Sequence, residues 1–259
     1  MLRFYYVIII TIPLIIYYIL RCRYMIRHAD RYSEEDCYLV LKHIIRDLMF
    51  FGRIRTKAFG LENLPQEGSY VMYPNHQGRF DALGIVYSHK NPCTIMMDKK
   101  RSEVILANEV IGVIKGCRLD KTSMRAQLEA ITQVTKELKE GRKYIIFPEG
   151  GYYHNRNNVQ DFLPGSFKCA VKAKCPIVPV ALIDSYKPFE INSLRRVTTQ
   201  VHYLKPLYYE DYKDLTTVQI AELVRNTILD TMRQILGEVE TTDCTRLEKQ
   251  EGEWGKVEV

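Results

Sequence analysis

The chain has no CxxC pair, no GxSxG motif and no long basic run, and each of these absences removes a class of function. Its seven cysteines (22, 37, 93, 117, 169, 175 and 244) are an odd set without ligand spacing. Such a set suits reduced thiols in a cytosolic setting better than a disulfide framework or a zinc site. No group of His, Cys, Asp and Glu has metal-ligand spacing, so neither a metal nor another cofactor is expected. Without a nucleophile elbow, Ser166 in Gly165-Ser166-Phe167-Lys168 is not read as a nucleophile. The net charge of +6 comes with no zinc-finger spacing and no RNP-like aromatic pattern. It therefore points away from nucleic acid and toward an anionic membrane or a phosphorylated substrate. No linker interrupts the 259 residues, which read as one domain with appendages.

What is present begins with Phe4 to Leu20, an uncharged apolar run that as a helix would span roughly 25 Å, the short end for crossing a bilayer. Pro13 predicts a kink. No small residues follow the run; Tyr17-Tyr18-Ile19-Leu20-Arg21 does, which excludes signal cleavage and a lipobox at Cys22. Arg21, Arg23, Arg27 and His28 lie on its C-terminal side against Arg3 on the other. By the positive-inside rule, residues 1–28 become a single anchor in the cell membrane with the body in the cytoplasm. Residues 29–53 follow as an amphipathic segment, in which Ser33 and Asp36 form a capping pair for a helix from 34 to 51. Leu41, Ile44, Ile45, Leu48, Met49 and Phe51 make its apolar side, to be set in the lipid interface or packed on the core.

From 54 to 236, short apolar runs alternate with helical periodicity, predicting an α/β domain with a mixed, largely parallel sheet flanked by helices. Strands are expected at 54–59, 69–74, 93–97, 143–147, 176–182 and 199–204. Helices are expected at 123–140, ended by Gly141, and at 217–236. The Thr, Glu and Lys-rich tail at 237–259 predicts disorder and leaves Trp254 without a role. His28, His43, His89, His154 and His202 are read as surface or interfacial residues.

Chemistry concentrates in Tyr73-Pro74-Asn75-His76-Gln77-Gly78-Arg79-Phe80-Asp81. Val71, Met72 and Tyr73 close a buried strand, and Asn75 and Gly78 favour a turn, so His76 sits where a strand empties into a loop. Five positions apart on an unbroken helix, His76 and Asp81 would point roughly 140° away from each other. Across a turn they can pair, and a carboxylate on one ring nitrogen fixes the tautomer that lets the other accept a proton. A second stretch, Tyr144-Ile145-Ile146-Phe147-Pro148-Glu149-Gly150-Gly151, ends another apolar strand in a loop glutamate.

NHxxxxD followed at this distance by FPEG resembles the glycerolipid acyltransferase family, which includes 1-acylglycerol-3-phosphate acyltransferase. The resemblance runs from about Gly60 to about Pro206. It implies His76 as general base, oriented by Asp81; since no side chain in the motifs is an obvious oxyanion donor, backbone amides near the His76 loop are expected to fill that role. It implies acceptor binding and site organisation for Glu149 and Gly150. Lys115-Gly116-Cys117-Arg118-Leu119-Asp120-Lys121 loosely resembles the family's second motif, which makes Lys121 and Arg118 candidate contacts to an acceptor phosphate. Pro176-Ile177-Val178-Pro179-Val180 resembles the fourth; as structure it reads as a buried strand with Pro179 at an edge or bulge. One departure stands out: Gly151-Tyr152-Tyr153 replaces the usual Thr-Arg after FPEG. Lys99, Lys100 and Arg101 are read as a solvated face.

The resemblance implies a fatty acyl thioester donor, on coenzyme A or acyl carrier protein, and a lysophospholipid acceptor in the membrane lipid. For 1-acylglycerol-3-phosphate the product is phosphatidic acid. Alternatives are another acceptor (glycerol 3-phosphate, another lysophospholipid or a lyso-aminolipid) and a membrane-binding protein of this fold without turnover.

Overall fold

The computed structural model describes residues 2–238 and the backbone of Thr241–Thr242. The strands are β1 (Ile54–Phe59), β2 (Val71–Pro74), β3 (Thr94–Asp98), β4 (Cys117–Leu119), β5 (Tyr144–Ile145), β6 (Val159–Gln160), β7 (Ile177–Ile183), β8 (Val197–Tyr203) and β9 (Thr241–Thr242). Seven of them form one sheet in the order β1-β8-β7-β2-β5-β3-β4, while β6 pairs with β9. Within the large sheet only β7 and β8 run antiparallel. The helices are α1 (Leu2–Ile10), α2 (Ile12–Arg27), α3 (Glu34–Phe51), α4 (Asp81–Ser88), α5 (Lys99–Ser102), α6 (Ala107–Val113), α7 (Met124–Lys139), α8 (Lys168–Ala173), α9 (Lys187–Glu190), α10 (Tyr209–Tyr212) and α11 (Thr217–Leu236).

The sheet is covered on both faces, which is why its central strands read as continuous apolar runs. In β7, Ile177, Ala181 and Ile183 pack with Val134 and Leu138 of α7 and Val224 and Ile228 of α11. Val178, Val180 and Leu182 join the opposite core with Leu41 and Ile45 of α3 and Ile85 of α4. Each Val, Leu or Ile among these side chains contributes about 1.5–3 kcal/mol by leaving water. The expected capping pair holds: Ser33 and Asp36 form a reciprocal capping box on α3, and the structure adds a second one, Thr216 with Gln219, on α11. The amphipathic face of α3 packs on the core, though Phe50 stays 76% exposed.

Three expectations change. The apolar run at the amino terminus is two helices, α1 and α2, bent by 72°, and no single helix among the described residues is long and apolar enough to cross a membrane. The break falls at Thr11, whose Oγ1 donates to the Val7 carbonyl, just before Pro13 in the first turn of α2. Arg3 is no external flank, being 1% exposed and donating to the carbonyls of Lys187, Pro188 and Arg195. Pro179 sits, as expected, at a bulge, though in a central strand: the pairing stops at Val180 opposite Tyr203 and resumes at Ile177 opposite Leu207 with one more residue on the partner side, so its missing N–H costs no ladder bond. His89 is a core residue. Its Nδ1–H donates to the Asn91 carbonyl while Nε2 accepts from Tyr70, and burial lowers its pKa to about 4. The tail at 237–259 lies outside the described residues except for Gly237, Glu238 and the β9 backbone.

Candidate active site

The two motifs meet because β2 and β5 are adjacent and parallel, with Val71 opposite Tyr144 and Met72 opposite Ile145, so their loops leave the same edge of the sheet. Crevices at the carboxyl ends of parallel strands are where α/β sheets bind ligands. β3, β4 and β7 run the same way as these two. They deliver Asp98, Asp120-Lys121 and Asp184-Ser185 to that edge.

His76 lies in the loop between β2 and α4, and Asp81 is the first residue of α4. The His76 Nδ1–H donates to Asp81 Oδ2 at 2.7 Å. The same oxygen accepts the amides of Gln77 at 2.6 Å and Gly78 at 2.9 Å. Asp81 thus folds the loop back onto itself and fixes the imidazole in one tautomer, leaving Nε2 with its lone pair. Among the described residues nothing bonds Nε2, and the side chain remains 16% exposed. Phe147 stacks on the ring at a centroid distance of 4.2 Å and Tyr152 meets it edge-on at 4.7 Å.

The His76 backbone is held from both sides. Its N–H donates to Glu149 Oε1 at 3.0 Å, and its carbonyl accepts Asn155 Nδ2 at 2.9 Å. The other Glu149 oxygen accepts from Gln160 Nε2. Glu149 is 6% exposed, and burial pushes its carboxyl up to about 8 despite those two donors, which favour the charged form. Gly150 follows at φ +73°, where an added Cβ would come 2.8 Å from Leu163 Cδ1. Glycine meets both demands.

A layer of amides behind the loop was not singled out by sequence reasoning. Asn75 pairs with Leu182 as a peptide would, donating to its carbonyl at 3.1 Å and accepting its N–H at 2.7 Å. Gln77 donates to the Leu182 carbonyl and accepts the Ser185 amide. Asn157 bridges Gln77 to Asp184. Their only sequence signal is the density of Asn and Gln in the two loops. The loop amides expected to receive the oxyanion do not stand free: those of His76, Gln77 and Gly78 are all committed to carboxylates.

Of the expected acceptor contacts, Lys121 comes to the site, donating Nζ to the Gly150 carbonyl and lying 3.7 Å from Asp98. Arg118 instead places its guanidinium on Ser102 and Asn108. Arg101 does not simply face solvent, because its guanidinium stacks 5.1 Å over the Tyr152 ring.

This site sits inside a stretch with known relatives: residues 55–183 match the family model described as Acyltransferase. This chain belongs to the acyltransferase family. The acyltransferase is 28% identical over 203 residues to 1-acyl-sn-glycerol-3-phosphate acyltransferase alpha of Ovis aries, covering 76% of this chain and 69% of the relative. To 1-acyl-sn-glycerol-3-phosphate acyltransferase of Borreliella burgdorferi it is 27% identical over 199 residues, covering 73% and 78%. Its fold matches the crystal structure of the 1-acyl-sn-glycerophosphate (LPA) acyltransferase PlsC of Thermotoga maritima with a TM-score of 0.73 at 18% identity, over 93% of this chain and 97% of that one.

Proposed function

We propose that this acyltransferase moves a fatty acyl group from a thioester, on coenzyme A or acyl carrier protein, to the free hydroxyl of 1-acylglycerol-3-phosphate. The product is phosphatidic acid. The observation that carries the reading is the 2.7 Å bond from His76 Nδ1–H to Asp81 with Nε2 left unbonded. In that state Nε2 takes the proton of the acceptor hydroxyl as its oxygen attacks the thioester carbonyl. The tetrahedral intermediate collapses, the C–S bond breaks, and the imidazolium returns its proton to the departing thiolate. Asp81 stabilises the imidazolium between the two steps. No acyl-enzyme forms.

Glu149 acts as an organiser, since both its oxygens are occupied by His76 and Gln160. Lys121, whose Nζ donates to the Gly150 carbonyl, binds the acceptor phosphate in this reading, with Arg118 holding the segment from Ser102 to Asn108 behind it. A membrane-borne acceptor fits the apolar surface of α1 and α2, where Leu2, Tyr5, Ile9, Ile16, Tyr17 and Leu20 are exposed. Arg21, Arg23 and Arg27 follow these and suit the cytoplasmic leaflet of the cell membrane.

The test is lipid mass spectrometry of a reaction with purified full-length protein, acyl-coenzyme A or acyl carrier protein, and a panel of acceptors. Phosphatidic acid formed by the wild type and lost in His76→Ala is expected. Efficient transfer only to an uncharged or amine acceptor would change the acceptor. Donor binding without any product would favour a non-catalytic member of the fold.

A further inference from the structure

The cations around the site differ in what already neutralises them. Lys99 lies 3.8 Å from Asp120, and Lys121 lies 3.7 Å from Asp98. Both terminal nitrogens of Arg118 are engaged by Ser102 and Asn108. Arg101 is exposed, and among the described residues no carboxylate stands within ion-pair distance of its guanidinium. It is nonetheless placed. Its N–H is capped by Asp98 at 3.2 Å and its guanidinium carbon lies 5.1 Å over the Tyr152 ring. That ring in turn touches the His76 imidazole at 4.7 Å. Stacking on an aromatic face orients a guanidinium while leaving its edge N–H groups free, and that edge is the fork that fits a phosphate.

We propose that Arg101, held over Tyr152, is a phosphate-ester binding residue of this site beside Lys121 and sets the substrate's position relative to His76. The inference rests on the acyltransferase reading and adds a specificity residue to it. In a 1-acylglycerol-3-phosphate the reacting hydroxyl and the phosphate sit on neighbouring carbons, so a cation one ring away from the base suits that molecule. Coenzyme A also carries phosphate esters. The shared chemistry is the phosphate ester, and kinetics separates the two sources.

The experiment compares full-length wild type with Arg101→Gln, Arg101→Lys, Tyr152→Leu and, as a charge-matched control, Arg125→Gln. Arg125 is on α7, 90% exposed and paired with Glu129. KM is measured for acceptor and donor separately, and the affinities of 1-acylglycerol-3-phosphate and coenzyme A are read by isothermal titration. Arg101→Gln is expected to raise KM and Kd for one of them by about tenfold or more, with a smaller change in kcat. Arg101→Lys should recover only part of this, since an ammonium lacks the fork, and Tyr152→Leu should weaken binding with the charge intact. An effect confined to the acceptor assigns its phosphate, and one confined to the donor assigns coenzyme A. Unchanged KM and Kd for both ligands in Arg101→Gln, or an equal loss in Arg125→Gln, overturns the proposal. Wild-type protein that binds these ligands through Arg101 but transfers no acyl group would defeat the acyltransferase reading and leave the binding site standing.

Discussion

Asp81→Asn separates the two tasks of one carboxylate oxygen. In the native site Oδ2 accepts from His76 Nδ1, Gln77 N and Gly78 N at 2.7, 2.6 and 2.9 Å, and the residue is 1% exposed. An asparagine oxygen in the same place keeps the geometry but makes every bond neutral. Bonds to a charged acceptor are worth about 1.5–3 kcal/mol and neutral ones about 1. The three are shared on one oxygen and their values do not add, so the loss in stability should be on the order of 1–3 kcal/mol. At about 2–4 °C per kcal/mol for a domain of this size, Tm falls by several degrees and the protein stays folded at room temperature. Turnover should suffer far more. The amide no longer stabilises the imidazolium, and if its NH2 turns to the ring it selects the wrong tautomer. General-base catalysis is worth about 10² to 10⁴-fold, and the same swap in a serine-protease triad costs about 10⁴. The assay is acyl transfer per folded molecule beside a thermal melt. A melt lowered as stated, with turnover within a few-fold of wild type, would show that Asp81 only builds the loop and would refute the base mechanism.

Glu149→Gln should flatten a pH dependence of stability. The native carboxyl titrates at about 8 against an ordinary 4.5, so its contribution is full below 4.5 and is lost as pH rises toward 8. Denaturation of wild type should therefore become easier over that window relative to the variant, and parallel curves would exclude the effect. Lys121→Ala should raise the acceptor KM by a factor matching a lost charged bond of roughly 1.5–3 kcal/mol, with kcat little changed; an unaltered KM would leave Lys121 as a tether for Gly150 alone. The exposed apolar surface of α1 and α2 should keep the full-length protein on membranes through a high-salt wash, which strips purely electrostatic attachments. Recovery in the wash supernatant would refute that attachment.

Elements were legible in the sequence where their ends carry chemistry. α3 and α11 begin at capping boxes built from Ser33 with Asp36 and Thr216 with Gln219, and both match the expected bounds. β1 was expected at 54–59, its observed bounds. β4, β6, α5 and α6 are too short for a period to show. Hydropathy along Phe4 to Leu20 reports only that the segment is apolar; Pro13 marked the kink, but neither its size nor the division of the run into two helices bent by 72°. His89 misled for a related reason: its partners Tyr70 and Asn91 are ordinary residues whose meeting depends on the tertiary fold.

The site divides along the same line. His76, Asp81 and Glu149 were legible because each loop carries its own motif, and the parallel pairing of β2 with β5 then brings the loops together. The amides behind them were not, since Asn in a loop reads as a turn former. Their role follows from what a catalytic loop at a sheet edge requires. To present His76, the chain must leave β2 while β7 continues to Ile183, which strips Leu182 of its backbone partner. A buried peptide left unpaired costs about 1–3 kcal/mol. Asn75 supplies the acceptor for the Leu182 N–H and shares with Gln77 the donation to its carbonyl, so the backbone is free to turn and the ladder loses nothing. Asn75→Ala should therefore destabilise the protein by that amount and also slow turnover, because the loop that carries His76 is then no longer fixed to β7. Aspartate at this position should fare no better, since it accepts the Leu182 amide but sets a carboxylate against the Leu182 carbonyl.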